Sequence, residues 1–160
     1  MTICNTDKFF SSIPKNYRVI GLDLGDKKIG VSISDKGLKI ASPFMLLERK
    51  TFSYIAKLLI KAINKELVGG FIIGWPLNMN GSEGPRCDST RDFAYAFLKL
   101  YDIPICFYDE RLSSVAIDKM MINSKLSRKK REQKQDSIVA SWILQSALDL
   151  YNNKIRNETI

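Results

Sequence analysis

The chain has 160 residues, of which 45% are hydrophobic and 26% are charged, a balance typical of a folded globular protein and not of a disordered one. Its 25 Lys and Arg residues outnumber its 17 Asp and Glu residues, and the net charge of +8 favours polyanionic partners such as nucleic acid. A basic, solvated surface without a partner would carry the same charge. The sequence contains no histidine, which excludes every site that needs an imidazole as a base or metal ligand.

Three widely spaced cysteines indicate neither a disulfide framework nor a zinc site. Cys4, Cys87 and Cys106 form no Cys-x-x-Cys pair, and we expect them to be reduced packing residues. No apolar run approaches the roughly 18 residues that would span a bilayer. We therefore expect no membrane association and a cytoplasmic location.

Periodicity predicts strands first, after a polar start. Residues 1–16 are mixed in character, and we expect a flexible N-terminal extension there. The runs 17–25 and 29–35 alternate as β-strands around a hairpin turn at Asp26-Lys27-Lys28, and 38–48 is expected to add a third antiparallel strand.

The period then changes to about 3.6 residues, which predicts a helix over 51–67 with Thr51 or Ser53 as its N-cap. Residues 69–76 follow as a short apolar strand of the kind that is covered on both faces. The predicted helix presents one apolar face, formed by Ile55, Leu58, Leu59, Ala62 and Ile63.

The second half alternates helices and strands, which indicates parallel pairing. A loop at 77–85 precedes a helix at 89–102 and a strand at 103–110. We then expect a short helix over 111–122, a mobile loop or frayed helix end over 123–134, and a closing helix over 135–151. The closing helix is expected to face the sheet with Ile138, Val139, Trp142, Ile143 and Ala147.

The predicted fold class is therefore α/β, with a mixed five-stranded sheet of three antiparallel strands followed by β-α-β-α-β and flanked by helices. We expect one domain over 17–151 and a C-terminal tail over 152–160.

Three acids occupy positions that suit chemistry. Asp23 interrupts the first strand, Glu110 ends the last one, and Asp136 begins the closing helix. Ligands of such sheets gather at the carboxyl ends of the parallel strands, where Asp23 and Glu110 could meet. Carboxylates in a cluster repel one another, and divalent cations such as Mg²⁺ relieve that repulsion. A basic protein without histidine but with this cluster suits metal-dependent hydrolysis of phosphodiesters.

Each acid also has a structural alternative. Asp23 could be a buried acid bonded to turn amides, Glu110 could pair with Arg111 or a surface lysine, and Asp136 could be a plain helix N-cap.

The stretch "GLDLGDKKIG" also resembles the phosphate-holding turn of actin-like and sugar-kinase ATPases, but those proteins close two such domains over a nucleotide. We interpret Gly21 and Gly25 as leaving room for metal and phosphate beside Asp23.

Four motifs in order carry a resemblance to a known family: "VIGLDLGDKKIGVSISD", "FIIGWPLNMNGSEGP", "YDERLSS" and "QDSIVASWILQSAL". From about Tyr17 to Tyr151 the chain is similar to the YqgF family, also called RuvX. The resemblance implies a ribonuclease H-like fold and a nuclease for structured nucleic acid that trims the 5′ end of pre-16S rRNA in ribosome biogenesis. Resolution of Holliday junctions, or a non-catalytic nucleic-acid-binding module of the same fold, are the alternatives.

The resemblance also implies a metal site. Asp23 would bridge two divalent ions, Mg²⁺ or Mn²⁺, while Glu110 and Asp136 would each hold one, and a water activated there would be the nucleophile. Asp109 is the reserve candidate, because a register error of one residue would exchange it with Glu110. Whether Asp26 adds a further ligand is left open.

Several polar residues are candidates for substrate contacts. The loop "PLNMNGSEGP" has Asn80 where the family commonly has Asp, so Asn78 and Asn80 are assigned to substrate or loop positioning and not to metal binding. A flexible basic loop over 125–134 would cover a nucleic-acid backbone and deliver Asp136 to the site; plain surface cations are the alternative. We expect structured RNA or branched DNA as partner and a monomer or weak homodimer. The candidate phosphate-binding residues are Lys27, Lys28, Arg111, Arg128, Lys129, Lys130 and Arg131.

Overall fold

The protein is built on a five-stranded mixed sheet with helices against both faces. A computed structural model describes the backbone of residues 3–111 and 128–158, and the side chains of residues 3–111 and 137–157. The strand order is β3-β2-β1-β4-β5; β1, β2 and β3 pair antiparallel, whereas β4 pairs parallel with β1 and β5. The predicted fold class is confirmed. The strands are β1 (Arg18–Leu24), β2 (Lys28–Ser34), β3 (Ala41–Glu48), β4 (Val68–Trp75) and β5 (Ile105–Asp109), and the helices are α1 (Thr6–Ser12), α2 (Phe52–Glu66), α3 (Pro85–Leu100) and α4 (Arg128–Glu158).

Two apolar cores lie on opposite faces of the sheet. Residues of β1 alternate between them, with Ile20 and Leu22 in the core under α2 and α3, and Val19 in the core under α1 and α4. The same alternation separates Phe71 from Ile72 on β4. Because both faces are covered, β4 is a nearly continuous apolar run, as predicted.

Helix α2 follows its sequence pattern closely. Its N-cap is Thr51, whose side chain accepts a hydrogen bond from the backbone N–H of Tyr54. Leu58 is only partly buried and packs against the edge of the core. The fully buried positions of the helix are Ile55, Ala56, Leu59, Ala62 and Ile63.

Helix α4 presents a different face from the one we predicted. The buried face of α4 lies against small residues of the sheet. The Ser32 hydroxyl of β2 donates to the carbonyl of Ala140 at 2.7 Å. A Cβ added at Gly21 would lie 2.8 Å from Leu144 Cβ and 3.0 Å from the Ala140 oxygen, so the helix lies directly on the glycine. The predictions for Ile143 and Ala147 are confirmed, and Val139 packs partly buried against the same core. The predictions for Ile138 and Trp142 are wrong, because the small residues of β1 and β2 set the rotation. The buried positions are Ala140, Ser141, Ile143, Leu144, Ala147 and Leu148.

The N-terminal segment differs from the expected flexible extension. Helix α1 buries Phe9 and Phe10, and Phe10 stacks on Tyr151 of α4 with ring centroids 4.5 Å apart. The Cys4 N–H also donates to the Ile105 carbonyl at 3.0 Å, beside β5. Two adjacent aromatic residues supply enough apolar surface to dock a polar stretch. At the other end, α4 continues through residues expected to form a tail.

The basic segment before Asp136 is helical from Arg128 onward. The loop prediction is wrong there, because Lys, Arg, Glu and Gln favour helix and the run contains neither Gly nor Pro. Asp136 lies eight residues inside α4, so it does not cap the helix. The rest of the predicted loop and the short helix expected over 111–122, apart from Arg111, lie outside the described residues.

The cysteines are free thiols, and burial raises the pKa of Cys106 to about 11, which keeps that thiol protonated at neutral pH. Within the described parts of the chain, no helix combines the length and hydropathy that a membrane span requires.

Candidate active site

Asp23 is a buried acid in the middle strand of the sheet. It is 8% exposed, and it lies two residues after Gly21 on the face that α4 covers. Leu22 and Leu24, on either side of it, point into the opposite core. A charged group so placed needs compensation from neighbouring groups or a cation.

Glu110 directly follows β5, and its side chain extends over Gly74 of the neighbouring strand β4. A Cβ added at Gly74 of β4 would lie 2.7 Å from Glu110 Oε2, 2.8 Å from Ile143 Cδ1 and 3.6 Å from the Leu22 carbonyl oxygen. The carboxylate of Glu110 therefore occupies space that any other residue at position 74 would fill. Gly74 is the reason why this acid can lie across β4.

The strand register brings this carboxylate beside Asp23. Gly74 pairs with Tyr108 of β5, and Leu22 of β1 pairs with Ile73 of β4. One step further along both strands, Asp23 lies beside Gly74. Neighbouring strands are about 4.8 Å apart, and the Glu110 carboxylate reaches from the end of β5 over Gly74 of β4, the strand next to β1. The two acids therefore come together at the carboxyl edge of the sheet, on the face of α4.

The surroundings of Glu110 disfavour the ionised form of its carboxyl group when no cation is bound. Burial raises the pKa of Glu110, the charge of Arg86 lowers it, and the neighbouring Asp109 raises it again. Arg86 lies in the first turn of α3, after Gly84 and Pro85. Two hard carboxylates, one buried and one with a raised pKa, are a donor set that fits a divalent cation.

Asp109 has a different environment from Glu110. The Arg111 guanidinium binds both of its carboxylate oxygens, with Nη2 at 2.7 Å from Oδ2 and Nε at 3.0 Å from Oδ1. This ion pair lowers the pKa of Asp109. Arg111 also donates through Nη1 to the Met79 carbonyl at 3.4 Å, which connects β5 to the loop after β4. Asp109 therefore positions Arg111.

Asn78 and Asn80 shape the loop between β4 and α3. Asn78 Nδ2 donates to the Ser82 hydroxyl at 3.0 Å, and Asn80 Oδ1 accepts from the Ser82 N–H at 3.0 Å and from its hydroxyl at 2.6 Å. The backbone turn closes through Gly81, whose N–H donates to the Asn78 carbonyl at 2.8 Å. Both asparagines therefore hold the conformation of this loop, and the expected role in substrate or loop positioning stays a prediction.

The hairpin turn after β1 lies at the same edge as Asp23. Asp26 and Lys27 are exposed at its tip and Lys28 begins β2. A Cβ at Gly25 would lie 2.7 Å from the Lys28 carbonyl oxygen, so this glycine closes the turn. Together with the packing of α4 on Gly21, this makes our interpretation of the two glycines as space for metal and phosphate wrong.

Asp136 lies on α4 one helical turn before Ala140, which packs against Gly21. Later residues of α4 reach Leu38 at the far end of the sheet. The turn that carries Asp136 therefore extends toward the end of β1 where Asp23 lies. The side chain of Asp136 lies outside the described part of the protein, and among the side chains that are described no group of three or more Asp, Glu or Cys is arranged to hold a metal ion.

A family model described as "RuvX: Holliday junction resolvase" matches residues 17–150. The chain belongs to the RuvX family. Its relatives include a protein of Ruegeria pomeroyi, 42% identical over 94% of this chain and 99% of the relative, and one of Chelativorans sp., 51% identical over 81% of each. Both bear the name "Putative pre-16S rRNA nuclease".

A solved structure shares the fold of this RuvX-family protein. Thermus thermophilus RuvC in complex with a Holliday junction substrate has a TM-score of 0.52 with 10% sequence identity, over 82% of this chain and 93% of RuvC. Such a likeness identifies the ribonuclease H-like fold.

Sequence reasoning missed three residues of this RuvX-family site. Gly74 and Arg86 bear on Glu110, and Arg49 holds the hairpin turn, since its Nη1 donates to the Gly25 carbonyl at 2.7 Å. The only signal for Arg86 was its place directly after the motif that ends in Pro85. Gly74 lies inside that same motif, but nothing there linked it to Glu110, and Arg49 had no signal. The roles of both depend on contacts between separate strands and loops.

Proposed function

We propose that the chain is a metal-dependent endonuclease that hydrolyses phosphodiester bonds in precursor 16S rRNA. The observation that carries the proposal is the Glu110 carboxylate, which lies over Gly74 beside the buried Asp23 at the carboxyl edge of the sheet. The names of the relatives support the substrate, and the net charge of +8 suits a polyanion.

The residues proposed to hold the divalent cation are Asp23, Glu110 and Asp136. When bound, Mg²⁺ or Mn²⁺ would neutralise the carboxylates and polarise the phosphodiester. Asp23 is fixed by β1, and Glu110 by the space over Gly74, so neither acid needs to rearrange to bind. The raised pKa of Glu110 reflects a burial cost that a cation would offset.

Cationic side chains at the same edge are proposed to hold the phosphates of the substrate. Arg111 is oriented by Asp109, Arg86 lies in the first turn of α3, and Lys27 and Lys28 lie in the hairpin turn. Pre-oriented guanidinium groups suit phosphate oxygens, because their fork geometry matches two acceptors.

The basic turn at the start of α4 is proposed to bind the backbone next to the scissile bond. Neutralising its four cations is expected to weaken RNA binding and to flatten the dependence of binding on salt. Unchanged binding across a salt titration would contradict this role. The four cations are Arg128, Lys129, Lys130 and Arg131.

A second candidate function is the resolution of branched DNA, which the description of the family model favours. Both functions use the same carboxylates, and they differ in the nucleic acid that fits the surface. A non-catalytic binding module would keep this surface without turnover.

The deciding experiment compares cleavage of labelled precursor rRNA and of a four-way DNA junction, with Mg²⁺ or Mn²⁺ or with EDTA. Asp23→Asn is expected to abolish cleavage and to keep binding. Asp26→Asn is the matched control, because it removes the same charge from the exposed turn three residues later and is expected to leave cleavage intact. Equal activity of Asp23→Asn and wild type would refute the proposed site, and binding without metal-dependent cleavage of either substrate would identify a binding module.

A further inference from the structure

A cavity lies at the opposite end of the sheet from Asp23. Its volume is about 410 Å³, and it is bounded by the connection between α1 and β1, the turn between β2 and β3, and the last part of α4. We call it the distal cavity. Asn16 borders the cavity and precedes Asp23 by seven residues, most of them in the extended strand β1. At about 3.3 Å per residue, roughly 20 Å separate the distal cavity from the proposed active site.

Three lysines surround the distal cavity. Lys15 comes from the connection before β1, whereas Lys36 and Lys39 come from the turn after β2. Lys39 Nζ also donates to Asn152 Oδ1 of α4 at 3.3 Å, which orients its ammonium group across the opening. Three positive charges around one concavity attract a phosphate group.

The remaining wall of the distal cavity is apolar and aromatic. Phe10 and Tyr151 line it and stack on each other with an interplanar angle of 19°. Ile13 and Pro14 add apolar surface, and Ile155 remains 40% exposed at the rim. Apolar and aromatic surface beside cations is the combination that binds nucleobases and phosphates of single strands.

The backbone around the distal cavity is held in an uncommon conformation. Asn16 and Leu38, which both line it, have φ angles of 69° and 57°. The Leu38 carbonyl accepts from Asn152 Nδ2 at 2.9 Å, and the Asp35 carboxylate accepts from the Lys39 N–H at 2.7 Å, so the turn is fixed on both sides. A bulky residue with positive φ is rare, and such residues cluster at ligand clamps.

We propose that the distal cavity binds one nucleotide of a single-stranded flank of the nucleic acid that is cleaved at Asp23. The three lysines hold the phosphate and the apolar wall covers the base. This inference rests on the proposed nuclease function. A strand that stays stacked, at about 3.4 Å per nucleotide, reaches the distal cavity about six nucleotides from the scissile bond. The enzyme thus favours substrates with a flank of that length.

The test uses the full chain with Asp23→Asn, which binds without cleaving, and fluorescein-labelled RNA hairpins with single-stranded flanks of three or twelve nucleotides. Adding Lys15→Gln, Lys36→Gln and Lys39→Gln is expected to weaken binding of the long-flank RNA at least tenfold. The slope of log K for that binding against log salt concentration is expected to become shallower by about 0.7, because the cavity holds one phosphate and each neutralised phosphate of a single strand contributes about 0.7. Binding of the short-flank RNA is expected to stay within twofold.

The matched control removes three exposed lysines from α2, on the other face of the sheet: Lys57, Lys61 and Lys65. This variant has the same net charge as the cavity variant and is expected to bind both RNAs as the parent does. Equal weakening by the two triple variants, or no difference between the flanks, would overturn the inference. If AMP competed equally with the long-flank and the short-flank RNA, the occupant of the cavity would be a free nucleotide. That result would also overturn the inference.

The two proposals fail separately. Flank-dependent binding that persists while wild-type protein cleaves neither substrate would refute the nuclease function and leave a bipartite binding surface. Normal cleavage with no effect of the cavity lysines would refute the distal cavity alone.

Discussion

Gly74→Ala is the sharpest perturbation of the proposed active site, because the glycine makes space for the Glu110 carboxylate, a proposed metal ligand, and has no side chain of its own. The added Cβ would lie 2.7 Å from Glu110 Oε2, whereas ordinary contacts begin at 3.4 Å. The carboxylate must therefore retreat by about 0.7 Å. The same methyl would lie 2.8 Å from Ile143 Cδ1, so retreat toward α4 is obstructed as well.

A displacement of this size is large for catalysis and moderate for folding. Misplacing a reacting group by about 1 Å can cost about 100-fold in rate, so we expect kcat to fall by roughly 10- to 100-fold. Overpacking of a core by one methyl costs about 1–3 kcal/mol. The variant should fold, bind RNA and cleave slowly.

The matched control is Gly70→Ala on the same strand. Its Cβ would lie 2.6 and 2.7 Å from two atoms of the Phe9 ring, an overlap of the same size about 13 Å from Gly74. Both variants should lose similar stability in urea titrations, and only Gly74→Ala should lose kcat in single-turnover cleavage of precursor rRNA. Adding Glu110→Asp, which shortens the acid, should make the two losses non-additive. Wild-type kcat in Gly74→Ala would refute the placement of Glu110.

Three further predictions test the electrostatics and packing. Burial raises the pKa of Glu110, so the metal-free protein loses stability as the pH rises above 4.5, the ordinary pKa of a glutamate, and this carboxyl ionises. Glu110→Gln removes that cost and should therefore raise the melting temperature in EDTA more at pH 7 than at pH 4. An equal effect at the two pH values would contradict the assignment. Asp109→Asn releases Arg111 from its ion pair and should raise KM with kcat nearly kept, whereas a 100-fold fall in kcat would mark Asp109 as a metal ligand. Ser32→Ala removes the hydroxyl that donates to the Ala140 carbonyl at 2.7 Å and should cost about 0.5–1.5 kcal/mol in urea titrations, because that carbonyl keeps its helical partner; an unchanged midpoint would contradict the role of this bond.

Local patterns predicted the succession of strands and helices along the chain, the first hairpin and the buried face of α2. Each of these features depends on residues that are close together in sequence. Thr51 and the apolar positions after it are one example, since a cap and a 3.6-residue period are both visible in one short segment. The sequence also placed Asp23 and Glu110 at one edge, because Asp23 lies near the end of β1, Glu110 directly follows β5, and the carboxyl ends of these strands coincide.

The remaining features depend on contacts between distant segments. The rotation of α4 is decided by the small residues Gly21 and Ser32 beneath it, and its many apolar positions left more than one face possible. The role of Gly74 depends on Glu110, which follows a different strand and lies across the glycine. The docking of α1 depends on Phe9 and Phe10 within an otherwise polar stretch, which average composition concealed.

The hydrogen bond between Ser32 and Ala140 joins residues 108 positions apart in the chain. At about 5–20 residues per second, a ribosome makes Ala140 about 5–20 seconds after Ser32. Asp136 is made only then, so a growing chain that already holds Asp23 and Glu110 still lacks the third proposed acid. On the proposed function, the set of three acids is therefore complete only after α4 has been made and has docked on Gly21.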